Sequence, residues 1–157
     1  MEVAERAVSS LDLPASFRSF LTDVWGIHHL HPPQAEAAPS ILGGDNTLVA
    51  IPTASGKSLL AYMGMVKRLS EGHAGSKAIY IVPLKALAME KYEDLSAVAE
   101  AMGYSVGLGI GDATAEAKNI DDCNILVCTS EKLDSLLRHR AELVSDVCRV
   151  VADEFHL

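Results

Sequence analysis

Cysteine is scarce in this sequence, and the number and spacing of the cysteines exclude a zinc site and a disulfide framework. The 157 residues include only three cysteines, Cys123, Cys128 and Cys148, and no two have the C-x-x-C spacing of zinc ligands. An odd number of cysteines also cannot form a closed disulfide framework. We therefore predict that these thiols act as small buried hydrophobic side chains.

A metal site formed by histidines is not favoured either. His28, His29 and His31 lie close together in the sequence. They lack a cysteine or acidic partner at the spacing that metal ligands usually have. We interpret them as part of a surface loop.

Long apolar runs and an excess of positive charge are also missing. No run of about eighteen apolar residues occurs, and no basic segment followed by an apolar one stands near Met1. We therefore expect a soluble, cytoplasmic protein without a membrane partner. Acidic residues outnumber basic ones, 21 to 13, and the formal net charge is −8. The overall field repels nucleic acid, so any polynucleotide contact must be local or rely on a part of the protein outside this chain.

What is present is a pattern of alternating strands and helices. The chain is long enough for one core, and 49% hydrophobic with 5% aromatic residues suits an α/β domain. Alternating strands and helices at this spacing indicate βαβ units and a parallel sheet covered on both faces. Apolar runs predict strands at residues 47–51, 77–82, 105–110, 124–128 and 147–152. Apolar stripes predict helices from Pro14 towards Gly26, from Pro32 towards Gly43, after Gly56, over residues 88–102 and from Thr129 through Leu137.

One stretch, Thr47 to Ser58, organises the prediction of function. An apolar run leads into a turn of small residues, and Gly56-Lys57-Ser58 then opens a helical pattern. Backbone N–H groups at such a helix start bind phosphate oxygens, lysine adds positive charge, and a serine hydroxyl can bind Mg²⁺. Ile51 stands where the usual motif has its first glycine. We predict a phosphate loop formed by Pro52, Thr53, Ala54, Ser55, Gly56, Lys57 and Ser58.

An acidic pair, Asp153 and Glu154, directly follows the last predicted strand. One carboxylate at a strand end can hold Mg²⁺, and a second can orient and deprotonate an attacking water. Ligands of parallel α/β sheets collect at the carboxyl ends of the strands, where both this pair and the phosphate loop fall. The two features together predict a nucleotide site, whereas the pair alone is also typical of a solvated strand end.

Gln34 lies in the first turn of the helix predicted after Pro32 and Pro33. Its amide has the donor and the acceptor that recognition of an adenine edge requires. A solvated glutamine is the alternative interpretation, and this residue alone does not decide between them.

Four motifs in a fixed order resemble those of superfamily 2 helicases. They are residues 52–58, 82–92, 129–136 and 153–157, which resemble the phosphate loop, motif Ia, motif Ib and motif II. The sequence is most similar to the Ski-two-like group, and within it to the archaeal fork-repair helicases related to the helicase domain of DNA polymerase theta. Residues 32–37 resemble the Gln motif of that family. The resemblance implies a RecA-like P-loop domain with a mostly parallel sheet.

The resemblance also implies roles for individual residues in ATP binding. Gln34 would recognise adenine, and Lys57 would bind the β- and γ-phosphates. Ser58 and Asp153 would contact Mg²⁺. Glu154 would activate the attacking water.

Further residues are implied to act on nucleic acid. His156 would couple the state of the nucleotide to the nucleic-acid track. Contacts of this kind are made to phosphate and sugar, so they carry little sequence preference. The implied contact residues are Pro83, Lys85, Thr129, Ser130, Glu131 and Lys132.

The same resemblance implies a division of the chain and of the site. Residues 1–31 would be an N-terminal helical flank, and residues 32–157 an incomplete first RecA-like domain. A second RecA-like domain, not contained in this chain, would supply the arginines that stabilise the transition state. We therefore expect an ATP-dependent DNA helicase that moves along single-stranded or forked DNA in repair of stalled forks. Residues 1–157 alone should turn over little ATP.

Three other functions are compatible with the residues. An RNA helicase of the same group would use similar backbone contacts. A non-motor phosphate-loop protein, such as a nucleotide kinase or a nucleotide-sensing switch, would need no role for Lys85 or Thr129. A non-catalytic binding module would retain the loop without turnover.

Overall fold

The computed structural model describes residues 5–52, 56–111 and 120–154, and these form two compact units. The first comprises Met1–Ser70 and the second Glu71–Leu157. None of the helices within the described ranges combines the length and the apolar character needed to cross a membrane. The domain boundary predicted after residue 31 stays a prediction.

The first unit consists of helices and one small antiparallel ribbon. Its elements are β1 (Arg6–Ala7), α1 (Ala15–Asp23), β2 (His29–Leu30), α2 (Pro32–Leu42) and α3 (Lys57–Glu71). Strands β1 and β2 pair antiparallel, so His29 lies in a strand rather than in the predicted surface loop. His31 occupies the N-cap position of α2.

Helix α1 buries the aromatic stripe that its spacing predicts. Phe17, Phe20 and Leu21 are buried, and the Trp25 ring meets Phe20 edge-on with 4.8 Å between centroids. Val24 has the same helical spacing as these residues, but it is the C-cap of the helix and is exposed.

The strand predicted at residues 47–51 is not formed. Residues 45–52 are neither helix nor strand, and Leu48 is 73% exposed. An apolar run favours extended backbone, but a strand also needs a neighbour that accepts and donates its backbone hydrogen bonds. None of the strand pairs in the described residues includes this run, and the prediction is therefore wrong.

The second unit is a parallel sheet with helices between its strands. Its elements are β3 (Lys77–Val82), α4 (Lys85–Met102), β4 (Val106–Gly109), β5 (Ile125–Thr129), α5 (Ser130–His139) and β6 (Val147–Ala152). The strand order is β4-β5-β3-β6, and every neighbouring pair is parallel. The predicted α/β fold with a parallel sheet is confirmed.

Two of the connections in this sheet, those that contain α4 and α5, run in opposite directions. The chain passes from β3 through α4 to β4, towards one edge, and from β5 through α5 to β6, towards the other. The usual right-handed sense of such connections places α4 and α5 on opposite faces. Because the strands are parallel, the carboxyl ends of β3, β5 and β6 lie along the same side of the sheet, the carboxyl edge. This edge bears most of the predicted functional residues of this unit.

The face under α5 carries a well-defined apolar cluster. Ile79 and Leu126 from the sheet pack there with Leu136 from α5. Cys123 and Cys128 belong to the same cluster, which confirms them as buried hydrophobic side chains, and burial raises the pKa of Cys128 to about 12. Cys148, on β6, is only partly buried, so the prediction does not hold fully for this thiol. Leu137, the last residue of the helix predicted from Thr129, is exposed and does not belong to the buried face.

Candidate functional site

Helix α3 begins where the phosphate loop was predicted to end. Gly56 has a φ of +74°, a left-handed conformation that suits glycine, and Lys57 and Ser58 are the first two residues of the helix. No acidic residue lies in the first turn of α3. Since a helix N-terminus carries partial positive charge, this end of the helix and Lys57 together favour an anion. Pro52 is exposed, and Thr53, Ala54 and Ser55 lie outside the described residues.

Gln34 joins α2 to the phosphate loop. Its side chain is buried, its Oε1 accepts a hydrogen bond from the backbone N–H of His31 at 2.9 Å, and its Nε2 donates to the carbonyl of Gly56 at 3.1 Å. A Cβ on Gly56 would overlap Nε2 of Gln34. The amide therefore supports the loop directly, a contact that the sequence analysis did not foresee.

The predicted acidic pair lies immediately beyond β6. The backbone N–H of Asp153 donates to the carbonyl of Ile81 at 2.9 Å, which continues the pairing of β6 with β3 past the last strand residue. Oδ1 of Asp153 accepts from the backbone N–H of Glu154 at 2.9 Å, and Oδ2 accepts from the hydroxyl of Tyr80 at 2.5 Å. Glu154 has a φ of +54°, so the chain turns sharply there. The Asp153 carboxylate is thus held at both oxygens.

This carboxylate suits Mg²⁺ better than a transition metal. Within the described ranges, no group of three or more His, Cys, Asp or Glu side chains is arranged to hold a metal. Mg²⁺ needs no such cage, because it keeps several waters and is usually bound by one or two carboxylates together with phosphate oxygens. A single aspartate at the strand end, partly exposed and oriented by two hydrogen bonds, fits this requirement.

Pro83 and Lys85 lie at the carboxyl end of β3. Lys85 is exposed and is the first residue of α4, whose first turn contains no acidic residue. A lysine at a helix N-terminus is electrostatically unfavourable within the chain itself. The same position becomes favourable when an anion such as a backbone phosphate binds there.

The residues at the end of β5 and the start of α5 differ in burial. Thr129 is buried, and its Oγ1 accepts from the backbone N–H of Lys132 at 3.3 Å, so it caps α5. Ser130 and Glu131 are exposed at the start of that helix. Lys132 is partly buried, and a Cβ on Gly109 would lie 3.3 Å from its Cγ, so the bare glycine leaves room for the lysine stem. His156 lies outside the described residues.

Residues 31–157 match the DEAD/DEAH box helicase family. The chain belongs to this family. It is 48% identical over 155 residues to the ATP-dependent DNA helicase Hel308 of Methanocella arvoryzae, covering 96% of this chain and 20% of that protein. It is 51% identical to Hel308 of Thermococcus kodakarensis over 84% of this chain and 12% of the relative. It is 47% identical to Hel308 of Pyrococcus abyssi over 84% of this chain and 18% of the relative.

This DEAD/DEAH box helicase chain therefore spans between 12% and 20% of the length of those relatives. The match starts at His31, one residue before α2, and includes both the phosphate loop and the acidic pair. The suspected resemblance to superfamily 2 helicases is confirmed at the level of the family.

One residue of this helicase domain was missed by the sequence analysis. The sequence pattern places Tyr80 in a buried strand, and the structure shows that its hydroxyl contacts Asp153. A signal was present, because a buried tyrosine usually brings its hydroxyl to a polar partner. Identifying that partner required the register between β3 and β6, which sequence spacing does not specify.

Proposed function

We propose that this chain provides the ATP-binding part of an ATP-dependent DNA helicase that moves along single-stranded DNA and unwinds forked duplexes. Membership of the DEAD/DEAH box helicase family supports the class of activity. The names of the similar proteins support DNA as the polymer. A second RecA-like domain would complete the catalytic cleft. It would supply the arginines that stabilise the charge of the transition state, the role of arginine fingers in phosphoryl transfer.

The observation that carries ATP binding is the start of α3. Lys57 and Ser58 open a 15-residue helix directly after Gly56, and no carboxylate opposes an anion in the first turn. Lys57 would bind the β- and γ-phosphates together with the N–H groups of that turn. Bound Mg²⁺ would neutralise the charge on those phosphates. Ser58 and Asp153 would hold the ion, and Glu154 would accept a proton from the attacking water.

The assignment of Lys57 and Asp153 to the same ATP site rests on family membership and on the order of the motifs along the chain. Each group belongs to its own structural unit, and each has the chemistry that its role needs. Lys57 and Ser58 stand at a helix N-terminus, and Asp153 and Glu154 at a strand end. Both places are usual for phosphate and metal ligands in α/β proteins.

Adenine recognition by Gln34 is part of the same proposal. An amide has two N–H donors and two acceptor lone pairs. One donor already serves Gly56 and one acceptor serves His31. The remaining donor and acceptor match the edge of adenine, so Gln34→Ala should reduce the preference for ATP over GTP in competition binding.

The nucleic-acid track would follow the carboxyl edge of the parallel sheet. Pro83, Lys85, Ser130, Glu131 and Lys132 lie at the ends of β3 and β5, and buried Thr129 fixes the start of α5. Lys85 and Lys132 would contact phosphates without reading bases, which suits movement along any sequence. Because these contacts join lysines to phosphates, DNA binding should be sensitive to salt. The two lysines provide positive charge locally on a chain whose net charge is −8.

The experiment that tests the proposal is ATPase activity of the full-length protein with and without single-stranded DNA. Lys57→Ala should abolish the stimulated activity. Lys67→Ala is the matched control, because Lys67 is a lysine of the same helix and pairs with Asp12 at 2.7 Å. Undiminished turnover in Lys57→Ala would contradict the proposal, and stronger stimulation by RNA than by DNA would favour an RNA helicase.

A further inference from the structure

The buried hydroxyl of Tyr80 is the feature from which we draw a further inference. Tyr80 is 0% exposed and lies on β3, which is flanked by β5 and β6. Its hydroxyl donates to Oδ2 of Asp153 at 2.5 Å. A hydroxyl at this depth normally has a polar partner, and here the partner is the carboxylate to which we assign Mg²⁺.

The register of the sheet accounts for this contact. Tyr80 is directly opposite Val151 in the parallel pair of β3 and β6. Asp153 lies two residues further along, so side-chain alternation places it diagonally from Tyr80 on the same face. A tyrosine is long enough to span that diagonal distance. The Asp153 N–H bond to the carbonyl of Ile81 keeps the register beyond the end of β6.

The hydrogen bonds leave the carboxylate able to bind an ion. Tyr80 uses one acceptor position of Oδ2, and the Glu154 N–H uses one of Oδ1. An ionised carboxylate has about four such positions, so each oxygen retains one with respect to the residues that the structure describes. Two donors from different directions also fix the rotation of the carboxylate plane. The side chain is therefore oriented before any ligand arrives.

We propose that Tyr80 is a positioning residue for the metal-binding carboxylate of Asp153. The inference rests on the proposed function, because it needs Asp153 to bind Mg²⁺. Partners that orient a metal ligand typically change metal affinity or activity by about 10- to 100-fold when they are removed. If Tyr80 only fills the core, loss of its hydroxyl would change stability and leave the Mg²⁺ dependence unchanged.

The test compares nucleotide affinity with and without Mg²⁺ in the full-length protein, using a fluorescent ADP as the probe. Tyr80→Phe keeps the ring and removes the hydroxyl. We expect it to reduce the factor by which Mg²⁺ tightens ADP binding by about 10-fold, with Mg²⁺-free affinity unchanged. Tyr62→Phe is the matched control, since Tyr62 is also a fully buried tyrosine and belongs to the first unit. It should leave the Mg²⁺ factor as in the wild type.

A double-mutant cycle identifies the route of the effect. In an Asp153→Asn background, Tyr80→Phe should cause little further loss, because the residue through which it acts has already changed. Additive losses would overturn the positioning role, as would a Tyr80→Phe protein with normal Mg²⁺ dependence or one that no longer folds. If wild-type protein binds ADP equally with and without Mg²⁺, the proposed function fails first, and the two failures are thus distinguishable.

Discussion

The two ends of the parallel sheet use polar side chains in different ways. At the amino end, Lys77 is only 4% exposed, and its Nζ donates to the carbonyls of Cys123 at 2.6 Å and Ile120 at 2.9 Å. Asn124 donates to the carbonyls of Ala74 and Ser76. Both side chains donate their hydrogen bonds to backbone carbonyls, and they thereby hold the loops that precede β3 and β5 in place.

At the carboxyl end the polar groups are more accessible. Lys85 and Glu131 are exposed, and Asp153 and Glu154 are partly exposed at the end of β6. Only some of their hydrogen-bonding capacity is directed at the backbone, as in the bond from the Glu154 N–H to Asp153, whose other oxygen accepts from the Tyr80 hydroxyl. The contrast teaches that burial together with backbone partners separates a structural charge from a candidate functional one. Residue type alone makes no such distinction.

Glu154→Gln is expected to give the largest effect at the carboxyl end. General-base catalysis contributes about 10²- to 10⁴-fold to rate, so the DNA-stimulated turnover number should fall by at least about 100-fold. ATP binding should be retained, because the amide keeps the size of the side chain. Steady-state kinetics and equilibrium ATP binding in the full-length protein measure the two quantities. Glu142→Gln, in an exposed turn after α5, is the control. An equal loss of turnover in that variant would contradict a specific catalytic role for Glu154.

Lys77→Met should give the largest effect at the amino end, on stability rather than on chemistry. Removing the ammonium leaves buried carbonyls without their charged donor, which should lower the free energy of unfolding by about 2–4 kcal/mol. Below the unfolding transition, turnover should be close to that of the wild type. Lys85→Met at the opposite end should change stability by less than about 0.5 kcal/mol. Equal destabilisation of both variants in denaturant titrations would break the comparison.

Lys85→Ala should weaken single-stranded DNA binding with a distinctive dependence on salt. Loss of one phosphate contact should reduce the slope of log affinity against log salt by about 0.7 for a single strand. The loss should be similar for different sequences, because phosphate contacts carry no base information. Fluorescence anisotropy over a range of salt concentrations measures both. An unchanged slope would place Lys85 away from the phosphates.

Local sequence patterns were most informative inside the second unit. The bounds predicted for β3 and β6, residues 77–82 and 147–152, agree with the structure. The signal is strong for β3, because parallel strands that are buried on both faces are continuously apolar. Strand β6 lies at the edge of the sheet and is only partly buried, and its predicted end rests on the acidic residues that follow it. The end of β6 also placed Asp153 and Glu154 correctly at a strand terminus.

Contacts between distant parts of the chain were beyond the same reasoning. The run 47–51 has strand composition, but pairing depends on a neighbour that a local window cannot identify. The Gln34 bond to Gly56 joins residues 22 positions apart, and the Tyr80 bond to Asp153 joins residues 73 apart. Composition and spacing predict which groups are polar and where elements end. They do not predict which groups meet across the fold.

Thr129→Ala tests the one residue at the carboxyl edge that behaves like those at the amino edge. Thr129 is buried and caps α5 through Lys132, so its loss should cost about 1 kcal/mol of unfolding free energy. Thr129→Ser keeps the capping oxygen and should recover most of that stability. DNA affinity should follow stability in both variants if Thr129 acts only as a cap. A Thr129→Ala protein of normal stability and weakened DNA binding would instead assign its hydroxyl to the nucleic acid, and accessibility would then be a poorer guide to function than the two ends of the sheet suggest.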